Sequence, residues 1–481
     1  MRDAGLTYAM LFNSYDYLLW FLPGTLVVFF LLGRRPFAAQ VWLTVASLFF
    51  YGWWNPWHLP LILGSIAFNF VIASLLRKRA ARLVLALGIA ANLALLGVFK
   101  YADFFLANVA RVAGDAPPLL HLALPLGISF FTFTQIAYLV DVYRRKAQEP
   151  VLANYALFVT FFPHLLAGPI LHHSEMMPQF AERANKRPQW DHLAAGLFLL
   201  AIGLVKKVLI ADTFAPIADA GFGAPSTLTA SAAWMAVLAY TMQIYFDFSG
   251  YTDMALGAAR LFNIKMPINF DSPYRARDIR DFWHRWHITL SRFLREYLYI
   301  PLGGNRGGEL RTAVNVLATF FLGGLWQGAA WTYVIWGMLH GLAMIVCRAW
   351  GDFGRPLPRG LAWALTFLFV MTTWVFFRAT SLDGALAMLQ AMAGMNAAPY
   401  APTLAWLADI QAKLGDVLAI PPAWTLVPPA IGLLVVFRRA NSNALAMLFR
   451  PTLANGAFVA VALPVCVLQL ARVTPFLYFN F

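Results

Sequence analysis

Long apolar runs separated by short polar loops make up most of the chain. They lie near residues 17–33, 38–54, 59–76, 83–99, 121–140, 154–171, 193–211, 231–250, 312–325, 329–349, 361–378, 424–437 and 453–472. A backbone in lipid must satisfy its own hydrogen bonds, so these runs are expected to be helices. Two of them, 312–325 and 424–437, are shorter than a span and are expected to be re-entrant or interfacial. The pattern predicts an all-α, polytopic integral membrane protein with about 10–13 membrane-embedded helices.

Composition supports this prediction and excludes other classes. The 481 residues are 60% hydrophobic and 12% charged, whereas soluble chains are roughly 45–50% apolar and about 25% charged. Soluble enzymes, disordered chains, coiled coils and disulfide-stapled secreted domains are therefore excluded. Cys347 and Cys466 lie in apolar runs and form no redox or zinc pattern.

The net charge of +14 comes from basic residues in short clusters between apolar runs. This distribution is typical of cytoplasmic loops, so a lipid membrane is the expected partner and nucleic acid is not. Residues 396–423, rich in Ala and Pro, are interpreted as a loop or short surface helices.

The longest interruption of apolarity is the basic-aromatic segment, residues 263–311. Between Arg275 and Arg311 it carries eight arginines against four acidic residues, interleaved with Phe, Trp and Tyr. Arginine mixed with aromatic residues is typical of a segment at a membrane interface. A solvated cytoplasmic face is the alternative interpretation.

Polar residues within apolar surroundings are the candidates for chemistry. His284 and His287 lie three residues apart, but no third ligand completes a set, so no metal site is predicted. A buried imidazole can act as acid or base, which is the role considered for His287. His340 lies between Gly337 and Gly341, a small-xxx-small pair that favours close helix packing, so a packed, hydrogen-bonded role is equally open.

Asp247 and Asp253 interrupt the run at 231–250 and its continuation. Six residues at ~100° each place them about 120° apart on a continuous helix, so a carboxylate dyad is not expected. The favoured role is hydrogen bonding that holds together a helix broken at Gly250. Taken alone, these residues fit a transporter as well as an intramembrane enzyme.

Several segments together resemble the membrane-bound O-acyltransferase family, in its alginate O-acetylase branch. They are, in order, 99–101 (FKY), 124–130 (LPLGISF), 162–165 (FPHL), 167–169 (AGP), 206–207 (KK), 245–255 (YFDFSGYTDMA), 282–291 (FWHRWHITLS) and 295–306 (REYLYIPLGGNR). The resemblance covers about residues 95–345. It implies N-terminal transmembrane helices over 1–100, a family core over 101–350 that contains the basic-aromatic segment, and C-terminal transmembrane helices over 351–481.

The resemblance also implies a function. It points to a multi-pass protein of the bacterial inner membrane in which a central tunnel passes an acetyl group from a cytoplasmic donor, expected to be acetyl-CoA, to a periplasmic polysaccharide acetyltransferase. No bound cofactor is expected. Arg285, Arg292 and Arg295 are the expected donor-binding residues, since arginine suits bidentate phosphate contacts. His287 maps to one polar position of the family site, and Tyr245 and Asp247 are expected to shape the tunnel.

The second polar position of the family site departs from the pattern. Residues 323–331 read GGLWQGAAW, which places Gln327 where the family has its catalytic histidine. An amide has no usable pKa and cannot take a proton from an acyl acceptor. Three explanations are open: a deliberate inactivating substitution, which we favour, a naturally inactive family member, or an active variant whose base is His287.

Two function classes follow. The first is an O-acetyltransferase for an exported polysaccharide, impaired as written by Gln327. The second is a non-catalytic transporter or export scaffold that recruits a periplasmic acetylase.

Overall fold

The structure is a computed structural model, which describes residues 10–114, 118–166, 168–354, 356–396, 408, 412, 427–438, 441–472, 476 and 477. Within these ranges the chain is helical and forms no β-strand. The loop or short helices expected at 396–423 lie almost wholly outside the described residues.

The α-helices follow one another with short connections. In chain order they are α1 (Leu22–Leu31), α2 (Pro36–Trp54), α3 (Leu59–Lys78), α4 (Arg82–Leu96), α5 (Ala102–Ala113), α6 (Ile128–Tyr143), α7 (Leu152–Thr160), α8 (Phe162–Leu165), α9 (His173–Ala181), α10 (Trp190–Leu204), α11 (Asp212–Gly223), α12 (Ala230–Leu261), α13 (Ile279–Arg285), α14 (Ile288–Leu294), α15 (Glu309–Gln327), α16 (Trp331–Asp352), α17 (Arg359–Arg378), α18 (Leu382–Met392), α19 (Val427–Val436), α20 (Ser442–Met447) and α21 (Leu453–Gln469). Segments of π-helix cover Asp16–Phe21, Gly97–Tyr101, Val205–Ala211 and Arg295–Tyr299.

Six helical stretches in the described part of the chain are long and apolar enough to cross a membrane. They are Asp16–Arg34, Pro56–Lys78, Arg82–Ala113, Trp190–Gly223, Trp331–Asp352 and Arg359–Arg378. The prediction of an all-α, multi-pass membrane protein is confirmed.

The chain divides into two compact units. One draws on residues 1–200, 252–268 and 449–459, and the other on 201–251, 269–448 and 460–481. The first has an aromatic core in which Phe162 packs edge-on against Tyr17 and Phe21 at ring-centroid distances of 6.0 and 5.1 Å. The second unit contains His287, Gln327, His340, Asp247, Tyr245 and the three candidate arginines, whereas Asp253 belongs to the first. The division into 1–100, 101–350 and 351–481 remains a prediction.

The apolar run at 154–171 is not one helix. The chain leaves helical geometry at Phe161, where φ is −46° and ψ is 106°, between α7 and α8. Pro163 occupies the first turn of α8, where its missing N–H costs no intrahelical hydrogen bond. Inside a continuous helix the same proline would remove a bond, so the run separates into two short helices.

The expected helix break at Gly250 is wrong, because α12 runs unbroken through this residue. A Cβ at position 250 would lie 2.8 Å from the carbonyl oxygen of Gly203 and 3.0 Å from the Cβ of Lys206. The glycine is needed for close backbone packing and not for a kink.

The basic-aromatic segment folds into the short helices α13 and α14 and the π-helix Arg295–Tyr299. Its aromatic side chains Phe282, Trp283, Trp286 and Phe293 are buried within the protein. Arg277, Arg280 and Arg295 are exposed. The segment therefore packs its aromatic side chains against protein and exposes part of its arginines, and its placement at a membrane interface or on a solvated face remains a prediction.

Helices α15 and α16 pack backbone against backbone. A Cβ on Gly324 would lie 2.4 Å from the carbonyl oxygen of Tyr333, and one on Gly337 would lie 2.3 Å from that of Phe320. A Cβ on Gly341 would meet Phe320 and Leu317 at 3.1 and 3.2 Å. The small-residue pair seen in the sequence thus marks a close helix–helix contact.

Candidate active site

A cavity of about 840 Å³ lies along helices α15 and α16 in the second unit. Its wall includes Glu309, the first residue of α15, and Gln327, the last. Eighteen helical steps separate these residues, so the cavity follows roughly 27 Å of helix. Its volume falls within the usual range for small-molecule sites, about 300–1,000 Å³. The cavity is therefore large and long enough for an extended ligand.

Gln327 is at the buried end of this cavity. Its side chain is 3% exposed, and Gly323, Gly324 and Trp336 line the wall around it. Helix α15 ends here because the chain turns extended at Gly328, where φ is −160° and ψ is 148°. The fold thus places the side chain at position 327 where a ligand's inner end would lie.

His287 lies at the junction of α13 and α14 and is fully buried. Its backbone is left-handed, with φ 44° and ψ 54°, a conformation that is uncommon for residues other than glycine. Its ring packs edge-on against Phe248 at 4.9 Å and lies 6.3 Å from the ring of Trp326. The imidazole is enclosed by protein next to the residue that precedes Gln327.

Asn269 fixes the orientation of this imidazole. Its side-chain oxygen accepts hydrogen bonds from the Thr289 backbone N–H at 3.2 Å and from the Thr289 hydroxyl at 3.0 Å. The same oxygen lies 3.1 Å from Nδ1 of His287. Since an amide oxygen only accepts, Nδ1 carries the hydrogen and Nε2 carries the lone pair of the neutral ring.

Burial lowers the pKa of the His287 imidazole to about 3. The charged form is disfavoured because burial takes the ring out of solvent. His287 is thus neutral at ordinary pH and is a weak base. Its own side chain is not among the described residues of the cavity wall, although Ile288 and Ser291 of α14 are.

His340 is held by a directed chain of hydrogen bonds. The indole N–H of Trp283 donates to its Nδ1 at 3.2 Å, and its Nε2–H donates to the Thr373 hydroxyl at 3.0 Å. That hydroxyl in turn donates to the Val370 carbonyl at 2.9 Å. Both ring nitrogens are used, so the geometry favours the packed, hydrogen-bonded role. Trp283 itself lines the cavity.

Asp247 belongs to a buried ionic cluster. One of its oxygens lies 2.7 Å from Nζ of Lys207, which also lies 2.7 Å from Asp212. Its other oxygen accepts the backbone N–H of Leu477 at 2.9 Å. Asp247 therefore joins α12 to a π-helix and to a segment 230 residues later in the sequence.

Tyr245 lies two residues before Asp247 on α12, in an aromatic cluster. Its ring is 5.4 Å from that of Tyr274, and Nζ of Lys206 lies 5.9 Å from its centroid. Neither Tyr245 nor Asp247 is among the described residues that line the cavity. Their expected part in shaping a tunnel remains a prediction.

The three arginines expected to bind the donor separate in space. Arg292 and Arg295 line the cavity, together with Arg280 and Arg348, which the sequence did not single out. Arg285 is engaged elsewhere, with Nε 2.7 Å from Asp281 and a hydrogen bond to the Asp271 carbonyl at 3.1 Å. Only two of the three are placed to meet a ligand in this cavity.

In the described part of the chain, no three His, Cys, Asp or Glu side chains come close enough together to hold a metal ion. Of the two histidines spaced three apart, His284 is exposed and His287 is buried.

Sequence reasoning missed Asn269, Lys207 and the cavity-lining tryptophans Trp283 and Trp336. Asn269 is a polar residue next to an aromatic one, a weak signal in the sequence. In the sequence, Lys207 stands out only as part of the 206–207 motif. A charged residue inside an apolar run does predict a buried partner, and Lys207 has two, Asp212 and Asp247.

Comparison with known proteins agrees with the all-α membrane fold. The model of the membrane-bound O-acyltransferase family (MBOAT) matches residues 81–383. The peptidoglycan O-acetyltransferase of Helicobacter pylori is 49% identical over 425 residues, covering 81% of each chain. The probable alginate O-acetylase AlgI of Pseudomonas aeruginosa is 43% identical over 394 residues, covering 80% of this chain and 75% of the relative.

A more distant relative is the teichoic acid D-alanyltransferase of Bacillus subtilis, 28% identical over 268 residues, which cover 52% of this chain and 68% of the relative. All three relatives are named for transfer of an acyl group or for O-acetylation. The chain belongs to the membrane-bound O-acyltransferase family.

Proposed function

We propose that the protein is an O-acetyltransferase of the bacterial inner membrane that passes an acetyl group from a cytoplasmic donor towards an exported polysaccharide, with its chemical step impaired by Gln327. The observation that carries the proposal is the position of Gln327 at the buried end of a cavity whose outer part is lined by arginines. Relatives named for peptidoglycan and alginate O-acetylation support an envelope polysaccharide as the final acceptor.

The donor is acetyl-CoA. This thioester carries phosphates at one end of a long flexible arm and the acetyl group at the other. Arg292 and Arg295 suit the phosphates, since guanidinium groups bind phosphate oxygens in pairs. The roughly 27 Å of helix along the cavity gives the arm room to reach Gln327.

The chemical step is attack of a hydroxyl oxygen on the thioester carbonyl. The C–O bond forms, the C–S bond breaks, and the hydroxyl proton must pass to a base and then to the leaving thiolate. The Gln327 amide can donate and accept hydrogen bonds but cannot take this proton. Loss of a positioned general base slows such reactions by about 10²- to 10⁴-fold.

His287 is the alternative base. Its Nε2 carries the lone pair, but burial lowers its pKa to about 3, far from the value that suits a base near neutral pH. Position 327 is therefore the better place for the missing group, with His287 in a positioning role.

Substitution at position 327 tests the proposal. Proteoliposomes with labelled acetyl-CoA and a periplasmic polysaccharide acetyltransferase as partner should show acetyl transfer at least 100-fold faster for Gln327→His than for the unchanged protein, on the order of the general-base effect. Gln327→Asn, which exchanges one amide for another, is the matched control and should stay slow. Equal turnover for the Gln, Asn and His forms would remove position 327 from the chemistry.

A second candidate function is a non-catalytic export component that recruits the periplasmic acetyltransferase. The amide at position 327 favours it, because such a component needs no base. The two functions separate in one experiment: an enzyme consumes acetyl-CoA or carries a transient acetyl group, whereas a scaffold only co-purifies with its partner. If Gln327→His fails to consume acetyl-CoA yet still retains the partner, the scaffold is the function.

A further inference from the structure

An ion pair spans the outer part of the cavity. Arg348, near the end of α16, donates from Nε and Nη2 to the two carboxylate oxygens of Glu309 at 2.8 and 2.7 Å. Both side chains line the cavity. The pair thus connects the first turn of α15 to the last turn of α16 beside the ligand space.

The charges around this pair are mostly positive. Four arginines line the cavity, and they face two carboxylates, those of Glu309 and Asp352, which leaves an excess of two positive charges before any histidine is counted. The arginines are Arg280, Arg292, Arg295 and Arg348. A site of this charge attracts a ligand with more than one negative charge.

The pair is exposed and is easily exchanged. The Glu309 side chain is 72% exposed and that of Arg348 is 39% exposed. Exposed ion pairs contribute little to stability, because water and salt screen them. The fork of Arg348 is already arranged for two parallel bonds to one anion, and phosphate oxygens accept such a fork as carboxylate oxygens do.

We propose that Glu309 masks an anion-binding residue: in the free protein it occupies Arg348, and a phosphate group of the thioester donor displaces it and takes over both guanidinium bonds. This inference rests on the proposed function for the identity of the donor. It assigns Arg348 to donor binding and Glu309 to competition with the donor, so that Glu309 lowers donor affinity.

Equilibrium binding of coenzyme A to the full-length protein in nanodiscs of zwitterionic lipid tests this proposal. Glu309→Gln removes the competing charge and should tighten binding about two- to fivefold, the range of an exposed ion pair. Arg348→Ala should weaken binding about tenfold or more, as for a charge-assisted hydrogen bond. In the Arg348→Ala background, Glu309→Gln should have no further effect on coenzyme A binding, because the guanidinium that Glu309 occupies is already absent.

The chain offers a matched control. Arg378 and Asp219 form another partly exposed ion pair of the same unit, with Nη2 and Oδ1 2.7 Å apart, and neither residue is among those lining the cavity. Asp219→Asn makes the same change in net charge as Glu309→Gln and should leave coenzyme A binding unchanged. Melting temperatures of all variants establish that each is folded.

The outcomes separate the two proposals. If coenzyme A binds and depends on Arg292 and Arg295, but Glu309→Gln changes nothing, the masking role is wrong and the donor site stands. If coenzyme A binds to none of the folded variants, the donor assignment in the proposed function is wrong. If Glu309→Gln instead increases retention of phosphatidylglycerol in mixed nanodiscs while coenzyme A is unaffected, the anion is a lipid headgroup, and the donor displacement proposed here is overturned.

Discussion

The Nζ atom of Lys207 lies 2.7 Å from a carboxylate oxygen of Asp247, and each side chain is 1% exposed. Lys207 also lies 2.7 Å from Asp212, so Asp247 belongs to a cluster of one ammonium and two carboxylates. Removal of Asp247 leaves the ammonium one carboxylate partner but takes away the acceptor of the Leu477 N–H, and a polar group that loses its hydrogen bond inside the protein costs free energy. The cluster is therefore expected to stabilise the fold.

Substitution of Asp247 should show this in the free energy of unfolding. Asp247→Ala should cost about 1–3 kcal/mol, because it removes the acceptor of the Leu477 N–H, whereas Asp247→Asn keeps an oxygen for that N–H and should cost less; Lys207 keeps its bond to Asp212 in both variants. Thermal melting in detergent measures the order. An Asn variant that melts like the unchanged protein but loses coenzyme A binding would contradict a structural role.

Two substitutions around His340 should separate stability from donor binding. His340→Ala removes the acceptor of the Trp283 indole, and Thr373→Val removes the acceptor on the other side of the ring. Each leaves a buried polar group unsatisfied, at about 1–3 kcal/mol. Only His340→Ala releases the cavity-lining Trp283, so only this variant should weaken coenzyme A binding. An equal loss of coenzyme A binding in both variants would mean that looser packing around His340, and not the release of Trp283, weakens the binding.

The adjacent glycines Gly323 and Gly324 of α15 allow a matched comparison of alanine substitutions. A Cβ on Gly324 meets the Tyr333 carbonyl oxygen at 2.4 Å, whereas one on Gly323 meets only the Leu294 Cδ1 atom at 3.2 Å. Gly324→Ala should separate α15 from α16 and cost about 1–3 kcal/mol, as overpacking does. Gly323→Ala should melt near the unchanged protein, while Gly323→Leu should fill the cavity and weaken coenzyme A binding. Equal melting temperatures for the two Ala variants would contradict the close packing.

The buried His287 should make the protein less stable in acid. Burial lowers its folded pKa to about 3, while the unfolded chain keeps a value near 6.5. Below pH 6.5 the unfolded state binds a proton at His287 and the folded state does not. The free energy of unfolding therefore falls by about 1.4 kcal/mol for each unit by which the pH is lowered. His287→Asn removes this effect and tolerates the left-handed backbone.

Denaturation midpoints at pH 5 and pH 7.5 measure the difference. The unchanged protein should lose stability relative to His287→Asn between these values, and the two should show parallel behaviour above pH 7. A pH-independent difference would mean that the imidazole takes up a proton without unfolding.

Local features of the sequence predicted much of the fold. Apolar length predicted helices in a membrane, and Gly337 with Gly341 marked a tight helix contact, since both signals act over a few neighbouring residues. The break at Phe161 was missed although Pro163 indicates it, because an uninterrupted apolar run was read as one element. Gly250 was misread for the opposite reason: its partner, Gly203, is distant in the sequence.

The candidate site was predictable only in part. Position 327 came from the resemblance, and its place at the buried end of a cavity needed the packing of α15 on α16. The contact of His287 with Asn269 joins residues 18 apart through an irregular turn, and no periodicity encodes such a turn. For the same reason the sequence could not tell Arg285, which pairs with Asp281, from Arg292 and Arg295, which face the cavity.

The bond from Leu477 to Asp247 has a consequence for biosynthesis. Helix α12 and Lys207 are synthesised early, but Leu477, whose N–H binds the Asp247 carboxylate, is made only 230 residues later. A nascent chain that ends before Leu477 could form the ion pair between Lys207 and Asp247 but would lack the hydrogen bond from the Leu477 N–H to the same carboxylate.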